Sequence, residues 1–100
     1  MQNTVKINYI DIVKQIVLQH IDTRQYKVFL FGSRACGNAK KFSDIDVGIL
    51  GNQKFSVINK FEIEQAIDES IVPYKVDIID FFNADNKFQT EALTHIIEWK

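Results

Sequence analysis

Two hydrophobic periodicities alternate along this chain, and their order constrains the fold more than any other feature. Three short runs rich in β-branched and aromatic residues have the length of strands: residues 26–31, 45–50 and 74–80. Apolar residues recur three and four positions apart in three other segments, which predicts amphipathic helices over residues 8–21, 56–71 and 88–99. The segments predict a small sheet that helices cover on one side and whose other face is left for a ligand.

The connection between the first two strands is the most unusual segment. Residues 32–43 contain two of the four glycines and are too small and polar for a strand, and Ser33 is a plausible start for a short helical turn. The predicted order is therefore α-β-(short α)-β-α-β-α. The sequence contains no repeat or linker-like stretch, so we expect residues 1–100 to form a single domain.

Length and charge limit the possible functions. A chain of 100 residues can build a modest core but no large enclosed pocket, so any site must be an open cleft. The net charge of −1 gives no global basic field, and we expect no direct nucleic-acid binding. Apolar runs are far shorter than the roughly 20 residues of a membrane span, and the single Cys36 favours a reducing compartment. These features predict a cytoplasmic protein without a membrane segment.

Three aspartates lie in or beside predicted strands, where aspartate is disfavoured. Asp44 and Asp46 are two residues apart, so in a strand both side chains would project from one face about 6.6 Å apart. Asp77 would join them if the third strand lies beside the second. Converging carboxylates are typical ligands of Mg²⁺, which completes its coordination with water and substrate phosphates. The pattern therefore predicts phosphoryl or nucleotidyl transfer.

A candidate phosphate site precedes these carboxylates. A strand that runs into Gly32 and Ser33 and then a helical turn presents backbone N–H groups and a hydroxyl to an anion. Arg34 is a candidate contact to a phosphate or to an aspartate. Gly48, two residues beyond Asp46, would leave space for a ligand.

Each of these residues also has a purely structural interpretation. Asp44 could cap a turn with Ser43, Arg34 could be an ordinary surface arginine, and Gly48 could mark a β-bulge. In this loop, Lys40 and Lys41 are better explained as solvated side chains, and Cys36 as a small loop residue. For Asp80, which ends the third strand, we expect a turn cap rather than a metal ligand.

The spacing of these motifs resembles a known superfamily. Gly32-Ser33, ten intervening residues and Asp44-Ile45-Asp46 are similar to the Gly-Ser-x10-Asp-x-Asp motif of nucleotidyltransferases related to DNA polymerase β. The longer stretches Phe-Gly-Ser-Arg-Ala-Cys-Gly-Asn-Ala and Ser-Asp-Ile-Asp-Val resemble the minimal nucleotidyltransferase (MNT) proteins. Tyr-Lys-Val-Asp-Ile-Ile-Asp, residues 74–80, resembles their third motif. The likeness implies an α+β, two-layer nucleotidyltransferase-like fold with a small mixed β-sheet.

This resemblance also implies a mechanism and a partner. Asp44, Asp46 and Asp77 would be the catalytic and metal-binding triad for two Mg²⁺ ions, and Gly32 and Ser33 would hold the phosphates of ATP. MNT proteins are paired with a small helical HEPN-domain protein, as antitoxin and ribonuclease toxin. Several resemble protein adenylyltransferases that transfer AMP to a tyrosine of the toxin. We therefore expect an adenylyltransferase antitoxin in a hetero-oligomer, with Asp77 near the attacking hydroxyl as its base.

Two other functions are compatible with the sequence. A binding module could neutralise the HEPN partner by contact alone, without turnover. A nucleotidyltransferase could also act on a small molecule such as an aminoglycoside, although no second domain is evident to hold one. The chain also departs from many relatives at Cys36, where they have arginine.

Overall fold

The computed structural model describes residues 6–100. Their elements in chain order are α1 (Tyr9–Gln19), β1 (Tyr26–Phe31), α2 (Ser33–Cys36), β2 (Ile45–Gly51), α3 (Val57–Asp68), β3 (Val76–Asp80), α4 (Asn86–Ala92) and β4 (Ile97–Glu98). The strands form one sheet in the order β3-β2-β1-β4. Strand β1 is antiparallel to β2 and β4, whereas β2 is parallel to β3. The predicted α+β fold with a mixed sheet is confirmed.

The helices begin where the sequence provides capping side chains. Asn8 accepts a hydrogen bond from the backbone N–H of Asp11, and Ser56 accepts one from Asn59. Asp85 accepts one from Lys87 at the start of α4. Each cap satisfies an N–H that has no carbonyl partner in the first helical turn.

The main core lies between one face of the sheet and helices α1 and α3. Alternate residues of β1 and β2 point into it, as the period of two in the sequence predicts. Its fully buried members include Val13, Val17, Val28, Ile45, Val47, Ile49 and Ile63.

The opposite face of the sheet is partly covered, which corrects the expectation of helices on one face only. Phe29, Phe31 and Phe81 form a second buried cluster, and Ala92 and Leu93 from α4 and its C-cap pack against it. The Phe81 ring is tilted against the Phe29 ring, with centroids 5.3 Å apart, and meets the Phe31 ring edge-on, with centroids 5.2 Å apart. Aromatic residues at outward positions of β1 needed this cover because they would otherwise be exposed to water.

The predicted helix over residues 88–99 is wrong in its second half. Helix α4 ends at Ala92, and Ile97 and Glu98 form β4, which pairs with Leu30 and Phe29 of β1. The backbone N–H of Trp99 donates to Val28 O at 2.8 Å, and its side chain is buried in the main core. Pairing satisfies the edge of β1, which a helix could not do.

Candidate functional site

Asp46 and Asp77 are direct neighbours across the two parallel strands. Asp46 of β2 pairs in register with Asp77 of β3, so their side chains lie on the same face of the sheet, opposite α1 and α3. Both residues are half-buried. Asp44 lies just before β2 and is exposed. The structure thus places all three predicted carboxylates at one end of two adjacent strands.

Gly32 lies directly against Asp46. Its φ angle is 75°, in the left-handed region that favours glycine, and a Cβ built on it would overlap the Asp46 Oδ2 atom. Asp46 is also the register partner of Phe31, which precedes this glycine. The glycine therefore permits both the sharp turn after β1 and the close approach of the carboxylate.

Helix α2 begins immediately after this glycine, as predicted from Ser33. The N–H groups of its first residues, Ser33 and Arg34, have no carbonyl one turn earlier within the helix. The helix ends at Gly37, whose φ angle is 81° and whose N–H donates to Ser33 O. The strand-glycine-helix geometry expected of the phosphate loop is present beside the carboxylates.

The negative charges at this site favour the binding of a cation. Burial raises the pKa of Asp46, and the negative charges of Asp77 and then Asp44 raise that pKa further, while Lys75 partly offsets them. Asp77 and Asp44 therefore lie close enough to Asp46 to repel its negative charge. A hard cation with oxygen ligands would remove this repulsion.

The three carboxylates do not converge on one point in this conformation. Within residues 6–100, no three His, Cys, Asp or Glu side chains are close enough to hold a metal ion together. The Asp77 carboxylate instead faces the Lys75 ammonium, with Oδ1 to Nζ at 3.7 Å, and the lysine side chain is 70% exposed. Such an exposed ion pair is weak, so Asp77 can turn away from it at little cost.

The Arg34 side chain is hydrogen-bonded to a backbone carbonyl and not to an aspartate, the pairing that was one of its candidate roles. Its Nε and Nη2 atoms donate to the carbonyl oxygen of Ser43, at 3.1 and 2.7 Å. Its guanidinium carbon also lies 4.6 Å from the centre of the Tyr74 ring. No local pattern predicts this partner, because Arg34 and Tyr74 are far apart in the chain.

Gly48 does not provide space for a ligand. A Cβ at this position would overlap the ring of Phe29, its register partner on β1. The glycine and the ring are both buried, and β2 pairs with β1 in regular register through this position. Gly48 therefore makes room for an aromatic side chain of the core, and both the expected ligand space and the β-bulge are wrong here.

The remaining expectations concern side chains near the site. Lys41 is exposed and its ammonium lies 5.4 Å from the centre of the Phe42 ring, and Cys36 is an exposed free thiol. Asp80 caps the turn after β3, as expected, by accepting hydrogen bonds from the N–H groups of Phe82 and Phe55. Asp80 thus has a structural role in this turn.

The comparison with protein families decides the identity of this fold. Residues 7–98 match the Polymerase beta, Nucleotidyltransferase family. The chain belongs to this family. It is thus a nucleotidyltransferase domain, and the resemblance drawn from the Gly-Ser and Asp-x-Asp motifs is confirmed.

Individual relatives agree with the nucleotidyltransferase assignment. The chain is 33% identical over 88 residues to the probable protein adenylyltransferase MntA of Haemophilus influenzae. The aligned region covers 88% of this chain and 75% of that protein. A crystal structure of a toxin-antitoxin with AMP-PNP shares its fold, with a TM-score of 0.71, 23% identity, and coverage of 94% of this chain and 73% of the other. So does the structure of a tri-AMPylated Shewanella oneidensis HEPN toxin in complex with an MNT antitoxin, with a TM-score of 0.62, 18% identity, and coverage of 90% and 71%.

The helices of this nucleotidyltransferase domain are short. Among those of residues 6–100, none has the length and apolar composition needed to cross a membrane.

Proposed function

We propose that this nucleotidyltransferase domain, residues 1–100, is a protein adenylyltransferase antitoxin. It transfers AMP from ATP to a hydroxyl group of a HEPN-type toxin, a tyrosine being the acceptor that the family resemblance implies. The observation that carries the proposal is the pairing of Asp46 with Asp77 on adjacent strands beside the Gly32 turn. The relationship to MntA of Haemophilus influenzae supports adenylyl transfer to a protein. The likeness to an MNT antitoxin in complex with a HEPN toxin supports the partner.

The nucleotide is held at the start of α2 in this proposal. Backbone N–H groups at Ser33 and Arg34 and the Ser33 hydroxyl donate to phosphate oxygens. Gly32 allows the phosphates to approach the backbone because it has no side chain, and its turn directs them toward Asp46. The likeness to a toxin-antitoxin structure that contains AMP-PNP supports an adenine nucleotide as the substrate.

The three aspartates fit divalent magnesium. Their donors are carboxylate oxygens, and burial, followed by the negative charges of Asp77 and Asp44, raises the pKa of Asp46. Asp44, Asp46 and Asp77 would hold Mg²⁺, with Asp77 turning from Lys75 toward Asp46. Bound Mg²⁺ would neutralise the negative charge that develops on the phosphates and on the leaving pyrophosphate.

In-line transfer then needs a nucleophile on the open side of the sheet. The acceptor hydroxyl attacks the α-phosphorus of ATP, the bond to the β-phosphate oxygen breaks, and pyrophosphate leaves. Asp77 accepts the proton of the hydroxyl as the general base. The acceptor and the surface that orients it come from the partner, in a hetero-oligomer. The use of ATP and the free thiol of Cys36 support a cytoplasmic location for this reaction.

The test is transfer of label to the partner. The purified chain is incubated with α-labelled ATP, Mg²⁺ and the HEPN-type protein encoded beside it. We expect label on the partner, no label after addition of EDTA, and no label with Asp44→Asn plus Asp46→Asn. Glu64→Gln, which removes one exposed carboxylate on α3, is the matched control and should label normally.

A non-catalytic antitoxin would give a different result. If no label reaches the partner, and the Asp44→Asn plus Asp46→Asn variant still suppresses its ribonuclease activity, contact alone neutralises the toxin and adenylyl transfer is refuted. Label that appears on an aminoglycoside but not on the partner would instead assign a small-molecule acceptor.

A further inference from the structure

Arg34 uses its side chain inside the protein. Two nitrogen atoms of its guanidinium group donate to the same acceptor, the Ser43 carbonyl oxygen, at 2.7 and 3.1 Å. The group also lies over the Tyr74 ring, with the guanidinium carbon 4.6 Å from the ring centre. Both residues are half-buried. A lysine could reproduce neither the two parallel donors nor the planar group over the ring.

These contacts join the three chain segments that carry the candidate site. Arg34 directly follows the Gly32-Ser33 turn, Ser43 directly precedes Asp44, and Tyr74 lies three residues before Asp77. One guanidinium group therefore spans the phosphate loop and the starts of both aspartate-bearing strands.

The loop before Asp44 has few other anchors. The N–H of Ser43 donates to Lys40 O at 3.1 Å, and the N–H of Lys40 donates to Ser43 Oγ at 2.8 Å, so these bonds only close a local turn. Ile45 N–H reaches Lys75 O at 2.9 Å, where β2 begins to pair with β3. The bond from Arg34 thus attaches the turn to the rest of the site just before its first carboxylate.

The Tyr74 ring is held in place by contacts with other residues. Its ring meets Tyr9 of α1 edge to face, with centroids 5.7 Å apart, and packs against the main core. Arg34 therefore connects the loop before Asp44 to a residue that packs against the main core.

We infer that the side chain of Arg34 is a positioning group that fixes Asp44 for metal binding, and that the guanidinium group is not a direct ligand of the nucleotide phosphates. The inference rests on the proposed function for its metal and nucleotide. It makes a distinct kinetic prediction, because a misplaced carboxylate weakens metal binding and slows transfer, whereas a lost phosphate ligand weakens nucleotide binding.

The experiment compares metal binding with nucleotide binding in Arg34→Lys. Mn²⁺ binding to the full chain is followed by the electron paramagnetic resonance signal of free Mn²⁺, and AMP-PNP binding is measured by calorimetry at saturating Mn²⁺. We expect Mn²⁺ affinity to fall about tenfold, the factor that corresponds to one charge-assisted hydrogen bond. AMP-PNP affinity should change by less than about twofold, and in the transfer assay kcat should fall while KM for ATP stays constant.

Tyr74 provides matched variants. Tyr74→Phe keeps the ring and should behave as wild type, whereas Tyr74→Leu removes the ring and should weaken Mn²⁺ binding in the same direction as Arg34→Lys. The double variant Arg34→Lys plus Tyr74→Leu should be less defective than the product of the two single effects, because both changes break the same contact. Circular dichroism of each variant shows whether the fold is retained.

Two results would overturn the inference. Weaker AMP-PNP binding with unchanged Mn²⁺ affinity in Arg34→Lys would make Arg34 a phosphate ligand, and unchanged values of both would make it an ordinary surface residue. Failure of adenylyl transfer is a separate outcome. A chain that transfers no AMP but loses Mn²⁺ affinity in Arg34→Lys would refute the proposed function and keep the positioning role.

Discussion

Replacing Asp46 by Asn should stabilise the metal-free protein while abolishing its activity. The folded protein holds this carboxylate half-buried beside Asp77 and near Asp44, and burial and these charges raise its pKa. The part of the chain in the structure shows no hydrogen bond that its side chain accepts, so the substitution removes repulsion without breaking a bond. Like charges on neighbouring strands destabilise by roughly 0.2–1 kcal/mol, which is the expected gain in the free energy of unfolding.

The pH dependence of this gain has a defined sign. Because the pKa of Asp46 is higher in the folded protein than in the unfolded chain, the folded state binds the proton more tightly. The wild-type protein therefore loses stability as the pH rises from 3.8, the ordinary pKa of an aspartate, through the raised pKa of the folded state. The advantage of Asp46→Asn should be absent below this interval and complete above it.

Urea denaturation in EDTA, at neutral and at acidic pH, measures the effect. In a thermal unfolding experiment, a gain of 1 kcal/mol in a domain of this size would raise Tm by about 4–8 °C. With Mg²⁺ and AMP-PNP the order should reverse, because only the wild type gains binding free energy. Glu64→Gln, the exposed control, should change neither measurement. A less stable Asp46→Asn at neutral pH, or an advantage that persists at acidic pH, would refute this electrostatic reasoning.

Three further substitutions test individual features of the fold. Gly32→Ala should cost about 1–2 kcal/mol and abolish transfer, since its Cβ would meet the Asp46 carboxylate and its φ angle is positive; urea titration and the label assay check this. Gly48→Ala should cost about 1–3 kcal/mol because of overlap with the Phe29 ring, and Gly48→Ala plus Phe29→Leu should recover part of this loss. Trp99→Ala should cost about 3–5 kcal/mol by removing a buried core side chain, measured by urea denaturation.

Each of these outcomes has a clear opposite. Full transfer activity in Gly32→Ala would show that the close approach to Asp46 is unimportant. An unchanged urea midpoint in Gly48→Ala would mean that the Phe29 ring moves aside freely. An unchanged urea midpoint in Trp99→Ala would show that the last strand does not unfold cooperatively with the core.

Local sequence determined most of the elements and the composition of the candidate site. The cap at Asn8, the helical turn at Ser33 and the alternation along β2 all follow from interactions between residues close in the chain. The spacing from Gly32 to Asp46 was sufficient to indicate the family, because the turn and the carboxylates must meet on adjacent strands.

Only the tertiary structure decided which of several local possibilities each ambiguous residue takes. Ile97 and Trp99 fit a helical stripe or a strand equally well, and the open edge of β1 selects the strand. Gly48 serves Phe29 rather than a ligand, and Arg34 binds Ser43 and Tyr74, because residues distant in sequence occupy the space beside them. Short-range patterns specify what an element can be, but long-range packing specifies what each of its side chains touches.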